Sequence, residues 1–346
     1  MQIGEDHFFY CTLVHNLQPH CRTRDLKPIP FSVLYYQAPT PYCRLIPTRR
    51  KTVPPSICQL TPVFGAKITN IDLSQKLNRG IVDTLKEAFE EHSLLLFPKQ
   101  HISDEAHVAF TEYFGVSERP RKSFGSYHHR PNINVVINYD KEGNLYKADE
   151  PRARFRKGQR MWHTDGSYKS IPSIASILRA CIVPPKGGHT QFASLRAAWN
   201  GLSKADQKRF QNRAAVHHYA HSRRHMNIKF LSDEEAKKFP PVRHPMMRVN
   251  PLNGKKALYV SSYAAYIEGE DKTESCKELE MLLKFAGQKK FTYDHKWQVG
   301  DLVMYDNRAC LHRASPYPID KYPRILRRTN IADDRPTMAN NVLHTL

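Results

Sequence analysis

The chain has 346 residues, of which 40% are hydrophobic and 25% charged, a composition typical of globular proteins rather than disordered or fibrous ones. Its 24 prolines favour short elements over a helical bundle, and no stretch approaches the ~20 consecutive apolar residues of a membrane span. The 53 Lys and Arg residues exceed the 33 Asp and Glu residues by 20, so the protein should attract anionic partners.

The first 52 residues differ from the rest. Residues 1–52 hold three of the seven cysteines, lack any periodic pattern and end near the basic run Arg49–Lys51. We predict a poorly ordered N-terminal extension here, with a mitochondrial transit peptide or a misplaced start codon as open alternatives. A single functional domain is expected over 53–338, followed by a tail over 339–346. Widely spaced cysteines without a CxxC pair favour a reducing compartment, and we expect a cytoplasmic protein.

Helical and strand patterns alternate from residue 53 onward. An amphipathic period predicts a helix over 78–93 that leads into a buried strand over 94–97, and a second helix is predicted from Ser103 through Phe114. Further strands are predicted at 133–139, 173–183, 190–193, 215–220, 257–261, 291–293, 301–305 and 326–331. Further helices are predicted at 195–202, 204–213, 232–239 and 274–286. This order indicates a mostly β protein with α insertions, a β-sandwich or jelly roll decorated by helices.

A long polar segment separates two of these strands. Residues 141–160 contain seven basic side chains, six of them after residue 146, together with Gly143, Pro151 and Gly158, and they show no apolar period. We predict a basic loop without regular structure, of a length that is usually functional or disordered.

A histidine and an acid follow this loop at a spacing suited to metal binding. His163 and Asp165 are two residues apart, so in an extended chain their side chains share one face and stand roughly 6 to 7 Å apart. One imidazole and one carboxylate form two-thirds of the facial triad that holds Fe(II) and leaves positions open for a cosubstrate and oxygen. His312, which follows an apolar strand and a polar turn, is the candidate for the missing ligand.

Two arginines follow His312 on the last predicted strand. Arg324 and Arg328 have the same parity, so both side chains should face inward, roughly 13 Å apart, where they can grip two different anions around one metal. Arg327 should point to the opposite face.

The segments WHTDGSY, GGHT, GDLVMYDNRACLHRASPY and PRILRRTNI occur in an order and spacing that resemble the iron and 2-oxoglutarate-dependent dioxygenases of the taurine dioxygenase family. The likeness covers about residues 57–334. His221–Arg223 and Val242–Pro245 are more similar to the branch that contains 2,4-dichlorophenoxyacetate dioxygenase. One departure is Tyr305, where the family commonly has Trp, a change that we expect to affect packing rather than ligation.

The resemblance implies a double-stranded β-helix in which His163, Asp165 and His312 ligate Fe(II). It further implies that Thr190 and Arg324 bind the distal carboxylate of 2-oxoglutarate and that Arg328 binds the acidic group of the primary substrate. The implied reaction consumes O2, releases succinate and CO2, and hydroxylates a small anionic substrate. A carboxylate such as an aryloxyacetate, with ether cleavage, is the expected substrate, and a sulfonate or sulfate ester is the alternative.

A protein of another class, a basic nucleic-acid-binding protein, is the remaining alternative because of the excess positive charge. Its Lys and Arg residues are spread along the chain, and no helix-turn-helix, finger or RNA-recognition pattern accompanies them. We therefore expect no nucleic-acid partner. We also expect no membrane partner and a homo-oligomer.

Overall fold

Residues 54–119, 127–140, 142–147, 149–222, 234 and 237–343 are described by a computed structural model. The predicted extension over 1–52 lies outside the described residues, as do four of the eight residues of the predicted helix over 232–239. The domain boundaries therefore stay predictions, although residues 341–343 pair with the segment around Val242.

Short strands dominate the described part of the chain. The strands are β1 (Ser56–Gln59), β2 (Ala66–Thr69), β3 (Leu94–Phe97), β4 (Tyr127–Arg130), β5 (Ile133–Val136), β6 (Ala175–Ile182), β7 (Thr190–Ser194), β8 (Ala214–His217), β9 (Val242–Pro245), β10 (Met247–Val249), β11 (Lys256–Leu258), β12 (Ala264–Ile267), β13 (Thr292–His295), β14 (Leu302–Asp306), β15 (Cys310–Ala314) and β16 (Ile325–Ile331). The helices are α1 (Arg79–His92), α2 (Asp104–Glu112), α3 (Pro151–Lys157), α4 (Leu195–Gly201), α5 (Lys204–Phe210) and α6 (Lys272–Ala286), with 3₁₀ turns at Gly158–Arg160 and Lys289–Phe291.

Two facing sheets form the central sandwich. The larger sheet has the strand order β1-β2-β3-β14-β6-β16-β5-β4, and the smaller facing sheet has the order β13-β7-β15. Neighbouring strands run antiparallel except for β2 and β3. The space between the sheets is filled by a buried apolar cluster that includes Leu94, Leu178, Phe192, Val303 and Tyr305. This arrangement confirms the predicted jelly roll with α insertions.

The outer face of the larger sheet is covered by the first two helices. In α1, the Asn78 side chain accepts the backbone N–H of Ile81 at 2.9 Å and caps the N-terminus. Leu85 and Phe89 of this helix pack on Phe97 and neighbouring residues of the sheet. Because β3 is covered on both faces, its residues are all buried, which explains its continuous apolar sequence.

A second group of elements lies beside the sandwich. Strands β12, β8 and β9 form a three-stranded sheet, and β10 pairs with β11. Helices α4 and α6 pack here around a separate apolar cluster that includes Trp199, Leu258, Ile267 and Leu279. Leu311 of β15 belongs to the same cluster, so this group packs against the sandwich at β15.

The prediction of a structureless loop over 141–160 is wrong for its second half. Residues Pro151–Lys157 form α3, which runs into the 3₁₀ turn Gly158–Arg160. Pro151 is suited to the first helical position because its ring presets the backbone and the missing N–H needs no partner there. Arginine, alanine and lysine, which follow, favour helix, but the segment lacks the apolar stripe by which a helix is recognised in sequence.

Candidate active site

Backbone pairing brings two of the three predicted ligands, His163 and His312, together. His163 and His312 form an isolated antiparallel bridge in which the N–H of His163 donates to the carbonyl of His312 at 3.0 Å, and the reverse bond measures 2.8 Å. Their ring centroids lie 4.2 Å apart. β15 carries His312, and the chain leaving the 3₁₀ turn at Gly158–Arg160 delivers His163 to its side.

Asp165 completes the group. One candidate ligand atom from each of His163, Asp165 and His312 lies within 4.8 Å of the others. His312 Nε2 is 3.9 Å from Asp165 Oδ2. The three residues that the sequence singled out thus converge on one point, at a spacing that a single metal ion can bridge.

The chemical states of these residues suit a divalent metal. His163 Nδ1 lies 2.8 Å from the carbonyl oxygen of Met161, an arrangement that places the proton on Nδ1 and leaves the Nε2 lone pair for a metal. Burial, followed by the proximity of His163, lowers the pKa of His312 to about 3, so its imidazole is neutral at physiological pH. His312 Nδ1 is buried without a hydrogen-bond partner among the described residues.

The Asp165 carboxylate is the most heavily hydrogen-bonded of the three. Its Oδ2 accepts from the Ser176 hydroxyl at 2.9 Å and from the Tyr305 hydroxyl at 2.8 Å. Arg328 Nη1 donates to Oδ1 at 2.8 Å and to Oδ2 at 2.9 Å. Burial alone would raise the pKa of Asp165, but the Arg328 guanidinium, the two histidines and the Tyr305 hydroxyl together outweigh it and hold this pKa below its usual range. Asp165 is therefore ionised, as a metal ligand must be.

Ser176 and the role of the Tyr305 hydroxyl were missed by sequence reasoning. Tyr305 was expected to alter packing alone, yet its hydroxyl contacts Asp165 and lies 3.4 Å from His312 Nε2. Asn307 was also missed: its side-chain Oδ1 accepts the backbone N–H of Asp165 at 3.2 Å. The signal available in the sequence was the polar turn before His312, where Asp306, Asn307 and Arg308 interrupt an otherwise apolar run.

Thr190 lies on the same inner face of the smaller sheet as His312. In the β7–β15 register, Thr190 pairs with Ala314 and Phe192 pairs with His312, so Thr190 is a diagonal neighbour of His312. Trp297 Nε1 donates to Thr190 Oγ1 at 2.9 Å. Because this bond occupies the hydroxyl as an acceptor, the Thr190 O–H remains a donor for another group.

Arg324 is a buried cation. Its Nε donates to the carbonyl of Gly188 at 3.0 Å, and its guanidinium lies over the ring of Tyr317, with 6.0 Å to the centroid. Burial lowers the pKa of Arg324, and within the described part of the chain no carboxylate pairs with it. A buried guanidinium without an opposite charge is energetically costly, so this position favours binding of an anion.

The two arginines face inward, as predicted. Leu326 lies between them and belongs to the apolar cluster between the sheets, and Arg328 contacts Asp165. Arg327 lies on the opposite face, where it pairs with Asp104 of α2.

Four aromatic side chains, which we call the aromatic wall, stand beside the triad: Tyr168, Tyr219, Phe239 and Tyr263. Tyr168 is central, with its ring centroid 4.9 Å from that of Tyr219, 5.6 Å from that of Phe239 and 4.9 Å from that of Tyr263. The Tyr263 ring lies 6.3 Å from the ring of His163. Burial disfavours the charged form of Arg328, whereas Asp165 and the nearby tyrosines favour it. Their combined effect is larger, so the pKa of Arg328 is raised. The wall therefore adjoins the triad at His163, and two of its tyrosines favour the charged form of Arg328.

A β-sandwich with two histidines and one carboxylate converging inside it, flanked by buried arginines, defines a class: metal-dependent oxygenases that use a facial triad. Consistent with this class, the family described as "Taurine catabolism dioxygenase TauD, TfdA family" matches residues 56–330.

Individual proteins agree with the family match. The chain is 32% identical over 281 residues to an alpha-ketoglutarate-dependent 2,4-dichlorophenoxyacetate dioxygenase of Cupriavidus pinatubonensis, covering 80% of this chain and 96% of that protein. It is 31% identical over 285 residues to an (S)-phenoxypropionate/alpha-ketoglutarate-dioxygenase of Sphingobium herbicidovorans, covering 80% and 95%. The crystal structure of AAD-2 in complex with Mn(II) and N-oxalylglycine superposes with a TM-score of 0.77 at 32% identity, covering 83% of this chain and all of that one.

The chain belongs to the TauD/TfdA family. It is accordingly a 2-oxoglutarate-dependent dioxygenase, an oxidoreductase that uses Fe(II), 2-oxoglutarate and O2 and acts on a small anionic substrate. Among the described helices, none is long and apolar enough to cross a membrane.

Proposed function

We propose that His163, Asp165 and His312 hold the Fe(II) and that the substrate is an aryloxy carboxylate hydroxylated at the carbon next to its ether oxygen. The observation that carries the metal assignment is the convergence of the three candidate ligand atoms within 4.8 Å. When bound, the iron and 2-oxoglutarate supply the oxidising chemistry that inserts one oxygen atom of O2 into a substrate C–H bond and converts the cosubstrate to succinate and CO2.

Thr190 and Arg324 are the proposed partners of the distal 2-oxoglutarate carboxylate. Thr190 offers a hydroxyl donor on the strand next to His312, diagonally across from it. Arg324 offers a buried positive charge that lacks an opposite charge among the described residues. A hydroxyl and a guanidinium together match the acceptor geometry of a carboxylate. The keto acid end would then reach toward the triad.

Arg328 is the proposed partner of the acidic group of the substrate. Its Nη1 is held by Asp165, but its Nε is buried without a hydrogen-bond partner in the described part of the structure. Charge supports this role, because Arg324 and Arg328 outnumber the Asp165 carboxylate by one. Since a divalent metal and doubly charged 2-oxoglutarate cancel, the remaining positive charge is neutralised by a substrate that carries one negative charge.

The aromatic wall supports an aryl substrate. Tyr263 adjoins His163, and Tyr168 and Tyr263 are near enough to Arg328 to raise its pKa, so a substrate whose acid meets Arg328 can lay its ring against either tyrosine. The relatives are named for 2,4-dichlorophenoxyacetate and phenoxypropionate, which combine an aryl ring, an ether and a carboxylate. Hydroxylation of the carbon between ether and acid gives a hemiacetal, which collapses to a phenol and an oxo acid.

The test is a substrate panel measured by succinate formation. Full-length protein with ferrous salt and 2-oxoglutarate is offered aryloxy acids, sulfonates and sulfate esters. Aryloxy acids should give the largest coupled release of succinate and phenol. His163→Ala should abolish turnover, and His101→Ala, which removes an exposed histidine outside the site, should not. Faster turnover of a sulfate ester than of any aryloxy acid would contradict the substrate assignment.

The cytoplasmic location, the homo-oligomer and the lack of nucleic-acid partners stay predictions from the sequence. They are measurable by size-exclusion chromatography with light scattering, by localisation of the tagged full chain, and by the salt dependence of DNA binding.

A further inference from the structure

Two hydroxyl groups from adjacent strands meet at one oxygen of Asp165. Tyr305 on β14 lies directly opposite Ser176 on β6 in the antiparallel register. Both side chains point into the sandwich, and both hydroxyls donate to Asp165 Oδ2, at 2.8 and 2.9 Å. The register of two central strands therefore determines where these donors stand.

The direction of both hydrogen bonds follows from chemistry. An ionised carboxylate can only accept, so each hydroxyl must donate to it. Asn307 Nδ2 donates to Ser176 Oγ at 3.0 Å, which occupies that oxygen as an acceptor and leaves its proton for Asp165. Tyr305 has no exposed surface, so water does not compete for its hydroxyl.

The third donor to Asp165 differs from these two. Arg328 contacts both carboxylate oxygens but is also the proposed partner of the substrate's acidic group. If Arg328 alone oriented Asp165, any movement of its guanidinium toward a substrate would release the carboxylate. Ser176 and Tyr305 lie on β6 and β14, are fully buried, and do not depend on the substrate.

We propose that Tyr305 and Ser176 are positioning residues that hold the Asp165 carboxylate in its metal-binding orientation, independently of Arg328. This inference rests on the proposed metal assignment. The family commonly has Trp at the position of Tyr305. An indole N–H lies at a different place on a larger ring, so it could not donate to Asp165 in the same way as the Tyr305 hydroxyl. Partners of this kind around a metal ligand typically change metal affinity or activity 10- to 100-fold when removed.

The experiment is a titration of metal-free, full-length protein with Co(II), which is divalent, stable in air and visible by its own absorption. Tyr305→Phe and Ser176→Ala each remove one hydroxyl and little else. We expect each variant to bind Co(II) about tenfold or more weakly and to show an altered Co(II) absorption spectrum. The double variant should lose less than the product of the two single losses, because the hydroxyls share one acceptor.

Tyr259→Phe is the matched control, since Tyr259 is also fully buried but lies outside the described contacts of the triad. Tyr259→Phe should bind Co(II) with unchanged affinity and spectrum, because its hydroxyl makes no hydrogen bond to the triad among the described residues. A Tyr305→Phe protein that binds Co(II) with unchanged affinity and spectrum would overturn the proposal. So would a charge-transfer absorption of the Fe(III)-loaded protein that Tyr305→Phe abolishes, because Tyr305 would then be a ligand itself.

One further variant separates this proposal from the metal assignment. Asp165→Ala should lose Co(II) binding almost completely. If Asp165→Ala binds Co(II) like the unaltered protein, the metal assignment fails. If Asp165→Ala loses binding and Tyr305→Phe retains it, only the positioning role is refuted.

Discussion

His163 and His312 exchange both of their backbone hydrogen bonds, at 3.0 and 2.8 Å. The two imidazoles are therefore held by the same pairing that joins their segments, with their ring centroids 4.2 Å apart. A site assembled by backbone pairing is preorganised, since the ordering of its ligands takes place during folding rather than during metal binding.

The first prediction concerns this preorganisation. His312→Ala leaves the backbone bridge intact, so the metal-free variant should keep the far-ultraviolet circular dichroism of the unaltered protein and unfold cooperatively. Its iron-dependent consumption of 2-oxoglutarate should be abolished. Loss of folding in the metal-free variant would show that the imidazole, and not the backbone pairing, holds the two segments together.

Arg324 and Arg328 should affect the half-saturating concentrations of different ligands. Arg328→Ala should raise the substrate concentration required for half-maximal rate by about 100-fold, because a charge-assisted hydrogen bond worth about 2 to 3 kcal/mol is lost. The requirement for 2-oxoglutarate should change far less. Steady-state kinetics with each ligand varied in turn provide the measurement, and the opposite ranking would exchange the roles of Arg324 and Arg328.

Thr190→Val removes a hydroxyl while keeping the branched shape of a strand residue. We expect an increase of about fivefold in the 2-oxoglutarate requirement, since one hydrogen bond is worth about 1 kcal/mol, with the substrate requirement unchanged. Trp297 loses its acceptor at the same time, so a modest loss of stability should accompany the change. Unchanged affinity for 2-oxoglutarate, measured by calorimetry with Mn(II) in place of iron, would remove Thr190 from the cosubstrate site.

Acid should destabilise the protein through His107. This histidine of α2 has no exposed surface, and burial, followed by the nearby Arg179, lowers its pKa to about 3. The unfolded chain takes up a proton near pH 6.5 whereas the folded chain does not, so stability is complete above pH 6.5 and is lost as pH falls from there toward 3. At pH 5 the free energy of unfolding should be about 2 kcal/mol lower than at pH 7 from this group alone.

His107→Leu should flatten this pH dependence between pH 7 and 4, whereas His101→Ala, at an exposed position, should not. Urea unfolding at a series of pH values provides the measurement. An equally steep profile in His107→Leu would assign the acid sensitivity to another buried histidine, such as His244, whose pKa is lowered to about 4 by burial.

A buried ionic network supports the turn before His312. Arg308 contacts Asp306 at 2.8 Å and Glu90 at 2.9 Å, and Asp306 has no exposed surface. Arg308→Ala should lower the free energy of unfolding by about 3 kcal/mol, because it leaves the buried Asp306 carboxylate undercompensated. Arg196, 3.6 Å from Asp306, limits the loss. A change below about 1 kcal/mol in urea unfolding would mean that water reaches these acids.

Sequence reasoning was strongest where the chemistry and the pattern are local. The amphipathic period of 78–93 predicted α1 to within a residue at each end, and the continuous apolar run predicted β3. The two-residue spacing of His163 and Asp165 placed both on one side of an extended segment. Helix α3 was missed because its basic sequence has no apolar stripe, so only Pro151 and helix propensity indicated it.

Contacts that depend on strand register were out of reach. Tyr305 and Asp165 are 140 residues apart in the chain, and nothing local to either residue signals that they meet. Ser176 lies within a buried strand where any small residue would satisfy the pattern. The aromatic wall likewise joins Tyr168, Tyr219, Phe239 and Tyr263 from four separate segments, and only the tertiary fold brings those segments together.

The most direct test of the account is X-ray diffraction at the iron absorption edge, from crystals grown without oxygen in the presence of Fe(II) and 2-oxoglutarate. We predict one strong anomalous peak per chain, at bonding distance from His163, Asp165 and His312, with the distal carboxylate of 2-oxoglutarate on Thr190 and Arg324. A peak ligated by other residues, or an iron site that persists unchanged in Asp165→Ala crystals, would contradict it.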